Sequence, residues 1–585
     1  MHAIEEADRL TWDGIAARGS YVQRRERGSD TSMRLTLVLA LGAASIATGC
    51  GPSLHRMPDR PVFWVDPDQR EFSPRPEERY VSWRFDAVDQ LFLRPASRVW
   101  TFPTDVEAIN VNALDEVPDS SWFTNRIGRH ALPPEALLRG ACESVSTLPA
   151  LPWIVVGGKT FGTNPGFTIE DASGARWLVK TDGRLQPERA SAADAIAASL
   201  YHAAGYNVPC NRVASFARDD LRIAEDAEAE LLGGATIPMT EAIVNAVLEA
   251  ATRAPDGRYR VAVSRFVEGE PLGPWSHEGT LESDPNDLVP HEHRRDVRGL
   301  FVLFAWTGHI DARQENTLAA WIEGEEGRGY LRHYLIDFGD CFGVLHESDR
   351  MSWRFEHDHY LNLGTVLIDY LTAGLIPRPW QEAALGPAGR TLGYFDARRF
   401  RPDEWAPGYA SPAFDAHTEH DAAWMARIVS RFTRAHVEAA VSVGDFSRPV
   451  VTRELVNVLM ERRRLILERY LTRLSPLSWP QMTDDVVCLD DLAVQSGIRR
   501  SNERRYEAWL AAADPPHPPV ALDARAARGR ACVRIPQSLE YAAIDVVASS
   551  PGRERTLAAR VHLYGSGRGY RAVALERLGD RGAVR

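Results

Sequence analysis

The chain has 585 residues, 44% hydrophobic and 25% charged, with 68 basic against 80 acidic side chains and a net charge of −12. This is an ordinary globular balance, which excludes wholesale disorder, collagen-like repeats and a long coiled coil. The acidic sum disfavours a broad electrostatic grip on nucleic acid, so no nucleic-acid partner is expected. Six cysteines with no CxxC pair are too few for a disulfide scaffold and give no sign of structural zinc.

The basic residues are distributed unusually. Lys159 and Lys180 are the only lysines, so 68 − 2 = 66 are arginine. A GC-rich genome writes Arg wherever either residue serves. Arg is a planar fork and Lys a compact point charge, so a surviving lysine marks a place where the swap has a cost.

Residues 1–32 are polar and show no apolar face. Met33-Arg34 then opens an apolar run from Leu35 to Ala47, followed by Thr48-Gly49-Cys50-Gly51. The run is too short to span a bilayer comfortably and fits a secretory signal. Ending in Gly-Cys, it resembles a bacterial lipoprotein leader, which implies Cys50 as the lipidated first residue, Met33 as the start and 1–32 as an upstream extension. Ala47 stands where the usual lipobox has Leu.

Residues 50–150 are rich in Pro and Trp and are expected to wrap irregularly; no chemistry attaches to Asp115–Phe123. Strands are expected at Ile154–Val156, Phe167–Glu170 and Arg176–Lys180, with a Gly-rich turn, Gly157 to Gly166, between the first two. Pro187–Ala204 reads as a helix closed by Gly205. Tyr259–Val267 reads as a strand and Glu268–Pro274 as a stiff turn. Helices are expected over 294–307, 361–375, 421–441 and 452–474. Residues 481–585 read as a small β-rich domain with strands near 531–535, 543–547 and 559–563.

Five features follow in one order. They are the turn bearing Gly157, Gly158, Lys159 and Gly162; Lys180 at a strand end; an acid, Asp194 or Glu188, on the next helix; His309-Ile310-Asp311-Ala312-Arg313-Gln314-Glu315-Asn316, an HxDxxxxN pattern; and Asp337-Phe338-Gly339 after a strand-like Tyr330–Leu335. This order resembles the protein-kinase-like superfamily. Within it, Phe266–Gly269 and Ala203–Pro209 look closest to the divergent bacterial branch of HipA-like kinases. The resemblance covers residues 150–475.

The resemblance implies an α+β, two-lobed protein-kinase-like fold. The β-rich N-lobe would be 151–267 and the helical C-lobe 268–480, with the β-rich appendage 481–585 behind. It implies ATP and Mg²⁺ as cofactors and transfer of a phosphoryl group to a hydroxyl acceptor. Lys180 would hold the α/β-phosphates and Asp194 or Glu188 would orient it. Asp311 would accept the hydroxyl proton, and Asn316 and Asp337 would bind Mg²⁺. Gly157, Gly158 and Gly162 would admit backbone N–H groups to the phosphates, with Lys159 adding charge.

Four departures bear on the substrate class. The glycines are not GxGxxG, Ile310 replaces the usual Arg before Asp311, no APE follows Asp337, and Glu323–Gly327 reads as an inserted hairpin tip. With the leader, the expectation is a membrane-anchored kinase-like lipoprotein of the cell envelope, acting on an unidentified acceptor. A scaffold of the same fold without catalysis, nucleotidyl transfer, and a cytoplasmic kinase with a misleading N-terminus are the alternatives. His291-Glu292-His293 and His357-Asp358-His359 read as solvated pairs, not metal ligands. Cys341 reads as a small buried residue.

Overall fold

In the computed structural model, residues 55–579 are described apart from 80–84, 86–87, 99–105, 145, 160–165, 232–234, 255, 516–517 and 568. Cys50, Gly162 and the leader lie outside these residues. The protein is a mixed α+β fold with several sheets.

The first sheet has seven strands: β1 (Trp153–Lys159), β2 (Gly166–Glu170), β3 (Arg176–Thr181), β4 (Asn211–Phe216), β5 (Leu221–Glu230), β6 (Thr236–Pro238) and β7 (Tyr259–Arg265). Their order is β4-β7-β3-β2-β1-β5-β6, antiparallel except where β1 meets β5. In β3, Trp177 and Val179 point to one apolar core, with Phe167, Phe216 and Val261. Successive side chains of a strand face opposite ways, so Lys180 is delivered to the other face. Gly166 pairs with Lys180, and a Cβ at Gly166 would lie 2.1 Å from the Val179 carbonyl, a contact only glycine avoids. The expected Gly157–Lys159 turn is corrected. These residues continue β1, and Gly158 packs where a Cβ would strike Met239.

The short α1 (Glu135–Arg139) packs on α2 (Arg189–Ala204), which lies against this sheet together with α3 (Glu241–Ala250). Every residue of α2 except His202 is buried, as its alanine-rich, all-round small surface allows. Asp182 caps it from outside, accepting the Ser191 N–H and hydroxyl at 2.7 Å each. Gly205 ends it at φ 135°, with the Phe123 ring where a Cβ would be.

The middle of the chain holds a three-stranded sheet, β8 (Glu270–Gly273), β9 (Thr317–Glu323) and β10 (Gly329–Leu335), in the order β10-β9-β8. The stiff turn expected at 268–274 is therefore partly strand. Helices α4 (Arg295–Thr307), α5 (Leu363–Leu371), α6 (Glu419–Ser430), α7 (Arg434–Ser442) and α8 (Pro449–Ile466) supply most of the rest. The single helix expected over 421–441 is two. Thr433 caps α7 by accepting the His436 N–H, and His436 Nδ1 accepts the Thr433 N–H, so the chain restarts there. Trp306, Trp424, Leu459 and Phe338 share the large helical core.

Residues 477–577 form two packed sheets with one core that includes Leu489, Val533, Ile544 and Val561. One sheet is β11-β12-β16-β15: β11 (Leu477–Thr483), β12 (Val486–Asp491), β15 (Ala524–Ala527) and β16 (Arg530–Arg534). The other is β14-β13-β17-β18-β19: β13 (Arg505–Asp514), β14 (Val520–Leu522), β17 (Tyr541–Ser549), β18 (Ala559–Ser566) and β19 (Gly569–Arg577). The small number of cysteines conceals two disulfides. Cys488–Cys532 links β12 to β16, and Cys142–Cys210 ties the segment after α1 to the start of β4.

The segment without assigned chemistry is a structural keystone. Asp115 takes Arg577 Nη1 at 2.6 Å, also bonds Arg295, and lies 3.3 Å from Arg427. Glu116 accepts Arg427 Nε at 3.1 Å, and Asp421 accepts Arg295 and Arg298 at 3.0 and 3.1 Å. This knot joins the wrapping segment, α4, α6 and β19. Trp122 adds a stacked contact with His333, ring centroids 3.5 Å apart.

Candidate functional site

The site is built by one hairpin, one strand and one helix. In the β9–β10 hairpin Thr317 pairs with Leu335, so the residues flanking the hairpin also meet: the Ile336 N–H donates to the Asn316 carbonyl at 3.0 Å. The loop Asp311–Asn316 and the turn Asp337–Gly339, far apart in sequence, are thereby set side by side. Helix α4 ends at Gly308, φ 63°, where a Cβ would meet Glu356 and the Phe395 ring. The chain then reverses into His309 and Asp311.

Lys180 Nζ lies 2.7 Å from Asp337 Oδ1. Asp194 is buried, and its Oδ1 accepts the Phe338 N–H at 3.0 Å. Phe338, fully buried, sets its ring edge-on to Tyr201. Asp311 Oδ2 accepts Asn316 Nδ2 at 2.8 Å, and the same nitrogen reaches the Asp311 carbonyl, also at 2.8 Å. This turns the Asn316 amide oxygen away from Asp311. Arg313 Nε lies 3.1 Å from Asp311 Oδ1.

The electrostatics follow from these neighbours. Burial alone would lower the Lys180 pKa, but Asp337, Asp194 and Asp340 together raise it, so the ammonium stays charged. Burial pushes Asp194 up to about 6, with Lys180 opposing and Asp337 adding to the rise. Asp311 is raised by burial and by Asp337, against Arg313 and Asn316. His309 is pushed down to about 4 by burial and is neutral at pH 7. Its Nδ1 lies 3.2 Å from the Tyr201 hydroxyl, and its buried Nε2 has no hydrogen-bond partner.

Lys180, Asp194, Asp311, Asn316 and Asp337 are thus brought together. Glu188 is not. It precedes α2 at φ 68°, and its carboxylate accepts the Ser447 N–H at 3.3 Å. Of the two helix acids, Asp194 is the one beside Lys180. Gly157, Gly158 and Lys159 belong to β1.

Sequence reasoning passed over two members. Asp340 lies close enough to Asp311 and Asp337 for their like charges to raise its pKa beyond what burial does, and its Oδ1 is buried without a hydrogen bond. Arg189, in the first turn of α2, lies 3.7 Å from that oxygen and donates to the Gly339 and Cys341 carbonyls. The fourth residue of Asp337-Phe338-Gly339-Asp340 was the available signal. Cys341 is buried, and burial raises its thiol pKa.

The histidine pairs are built into the fold, not solvated. His291 bonds Asp287 at 2.8 Å, His293 bonds Arg298, and Asp358 accepts Arg354. Among the described residues, no group of three or more His, Cys, Asp or Glu side chains is placed to hold a metal ion unaided. An oxygen-rich set with surplus carboxylate and an unsatisfied Asp340 oxygen does fit a hard cation. Mg²⁺ takes one or two protein oxygens and completes its shell with water and phosphate. Among the described residues, no helix is long and apolar enough to cross a membrane. Compared with protein-family models, curated proteins and solved structures, the chain matches none.

Proposed function

We propose that the protein is an ATP- and Mg²⁺-dependent phosphotransferase with a two-lobed, kinase-like catalytic unit, acting on a hydroxyl of an acceptor in the cell envelope. The observation that carries this reading is the convergence of Lys180, Asp194, Asp311, Asn316 and Asp337 from separate segments onto one place. Lys180 meets the nucleotide phosphates as a point charge. Asn316, through its amide oxygen, and Asp337 would hold Mg²⁺, whose charge offsets that on the phosphates.

Asp311, with its raised pKa, takes the proton from the acceptor hydroxyl. The hydroxyl oxygen bonds to the γ-phosphorus, the bond to the β–γ bridging oxygen breaks, and ADP leaves with that electron pair. Arg313 and Asn316 hold Asp311 in place. Two disulfides support an oxidising compartment, in line with a lipidated Cys50.

One observation favours a non-catalytic scaffold instead. Lys180 and Asp337 bond each other directly, so phosphate and metal have to open that pair before they bind.

Thermal shift with Mg²⁺-ATP decides between the two. Ligand at a hundred times its dissociation constant stabilises by about 2.7 kcal/mol. Wild type and Asp311→Ala are expected to shift, and Asp337→Ala is not. Turnover is expected to fall by about 10²–10⁴ in Asp311→Asn. No shift at millimolar ATP would sink the phosphotransferase and leave the scaffold.

A further inference from the structure

A second cavity, of about 600 Å³, opens beside the chain that follows Phe342. Gly343, Trp353, Glu356, Arg399, Trp405 and Arg462 are among its walls, whereas Lys180, Asp194, Asp311, Asn316 and Asp337 are not. Of its four carboxylates, Glu382 and Glu404 are exposed to solvent, and Glu356 and Asp396 are already engaged. Arg462 grips Glu356 at 2.6 and 3.2 Å, and Arg399 grips Asp396 through Nε and Nη2 at 3.0 and 2.6 Å.

Three donors are left over. Trp353 Nε1, Trp405 Nε1 and Arg399 Nη1 are buried atoms with no hydrogen-bond partner, and Trp405 as a whole is only 4% exposed. A buried N–H without an acceptor is costly, and natural folds leave few. Here three N–H groups, one of them cationic, belong to the wall of one cavity. His357, on the same wall, is pushed down to about 4 by burial and by Arg399 and Arg462, against Asp396 and Glu404, so it adds no cation at neutral pH. Phe355 and Phe400 add apolar wall.

We propose that this cavity is a second ligand site, which takes a small organic anion: a carboxylate or phosphate met by the Trp353, Trp405 and Arg399 donors, on a flat body packed against the aromatic walls. It does not depend on the phosphotransferase reading, because the two sites share none of these residues.

The test is ligand-observed NMR on the full chain with phenyl phosphate and benzoate, beside neutral benzyl alcohol. At least one anion is expected to bind, with benzyl alcohol at least about tenfold weaker. Trp405→Phe and Trp353→Phe, which keep a ring and remove the donor, are each expected to weaken the anion about tenfold. Lys180→Met is expected to leave it unchanged. Should Trp405→Phe lower the melting temperature, the less buried Trp353→Phe decides. The proposal is overturned if neither anion binds, if benzyl alcohol binds as well, or if Lys180→Met removes binding while the tryptophan variants retain it. Binding of benzoate, phenyl phosphate or both tells which anion the cavity prefers.

Discussion

Two buried charge clusters in this protein are built from the same residue types to opposite ends. Around Asp115, cations outnumber or match the anions, and the carboxylates are taken up by arginine: Arg295, Arg427 and Arg577 meet Asp115, and Arg295 and Arg298 meet Asp421. Around Lys180, Asp194, Asp311, Asp337 and Asp340 outnumber the nearby cations, and one Asp340 oxygen has no hydrogen bond. In the first cluster every carboxylate is taken up by arginine, with only Arg427 Nη1 left over as a donor, and the cluster ties distant parts of the chain together. The second has acceptor capacity to spare, which the proposed binding of a cation and phosphates would use. What separates the two clusters is whether the carboxylates are matched by arginine, not how many charges are buried.

The sharpest break comes from Asp115→Asn. Burial would raise the Asp115 pKa, but the three arginines hold it well below the ordinary carboxylate range. Its stabilisation is therefore complete above about pH 4 and is lost as acid protonates it. Removing the charge leaves those arginines buried without their partner, and a loss of about 3–5 kcal/mol is expected in denaturant unfolding at pH 7.

Asp194→Asn moves the other way. Burial raises the Asp194 pKa to about 6, so its native form binds the extra proton and stability declines as pH rises from the unfolded value toward 6. The variant is expected to match wild type below about pH 4 and to exceed it by about 2–3 kcal/mol at pH 8. A difference that does not change with pH would break the comparison. Asp311→Asn gives the smallest effect, a gain of about 1 kcal/mol at pH 7, since a costly carboxylate is neutralised while Asn316 keeps an acceptor. A loss there would mean that this cluster, too, is structural.

The local signals of the site could be read from the sequence. Alternation placed Lys180 on β3, the apolar face between Pro187 and Gly205 gave α2, and Glu323–Gly327 proved to be the tip of the β9–β10 hairpin. Which helix acid faces Lys180 could not be read, since that depends on how α2 packs under the sheet. The Asp115 knot was invisible for the same reason: its partners are 180, 312 and 462 residues away. Cysteine number hid the disulfides, whose partners are 68 and 44 residues apart in sequence. The break between α6 and α7 is set by a cap at Thr433, a local feature that apolar periodicity overlooks.

The reach of Asp115 to Arg577 also bears on how the molecule is made. An emerging chain has its helices and first sheet long before it has β19, yet Asp115, Arg295 and Arg427 wait for that strand to complete their set. The knot is thus completed only across 462 residues of sequence. Such late, long-range closure is slow and leaves partly assembled chains open to misassociation.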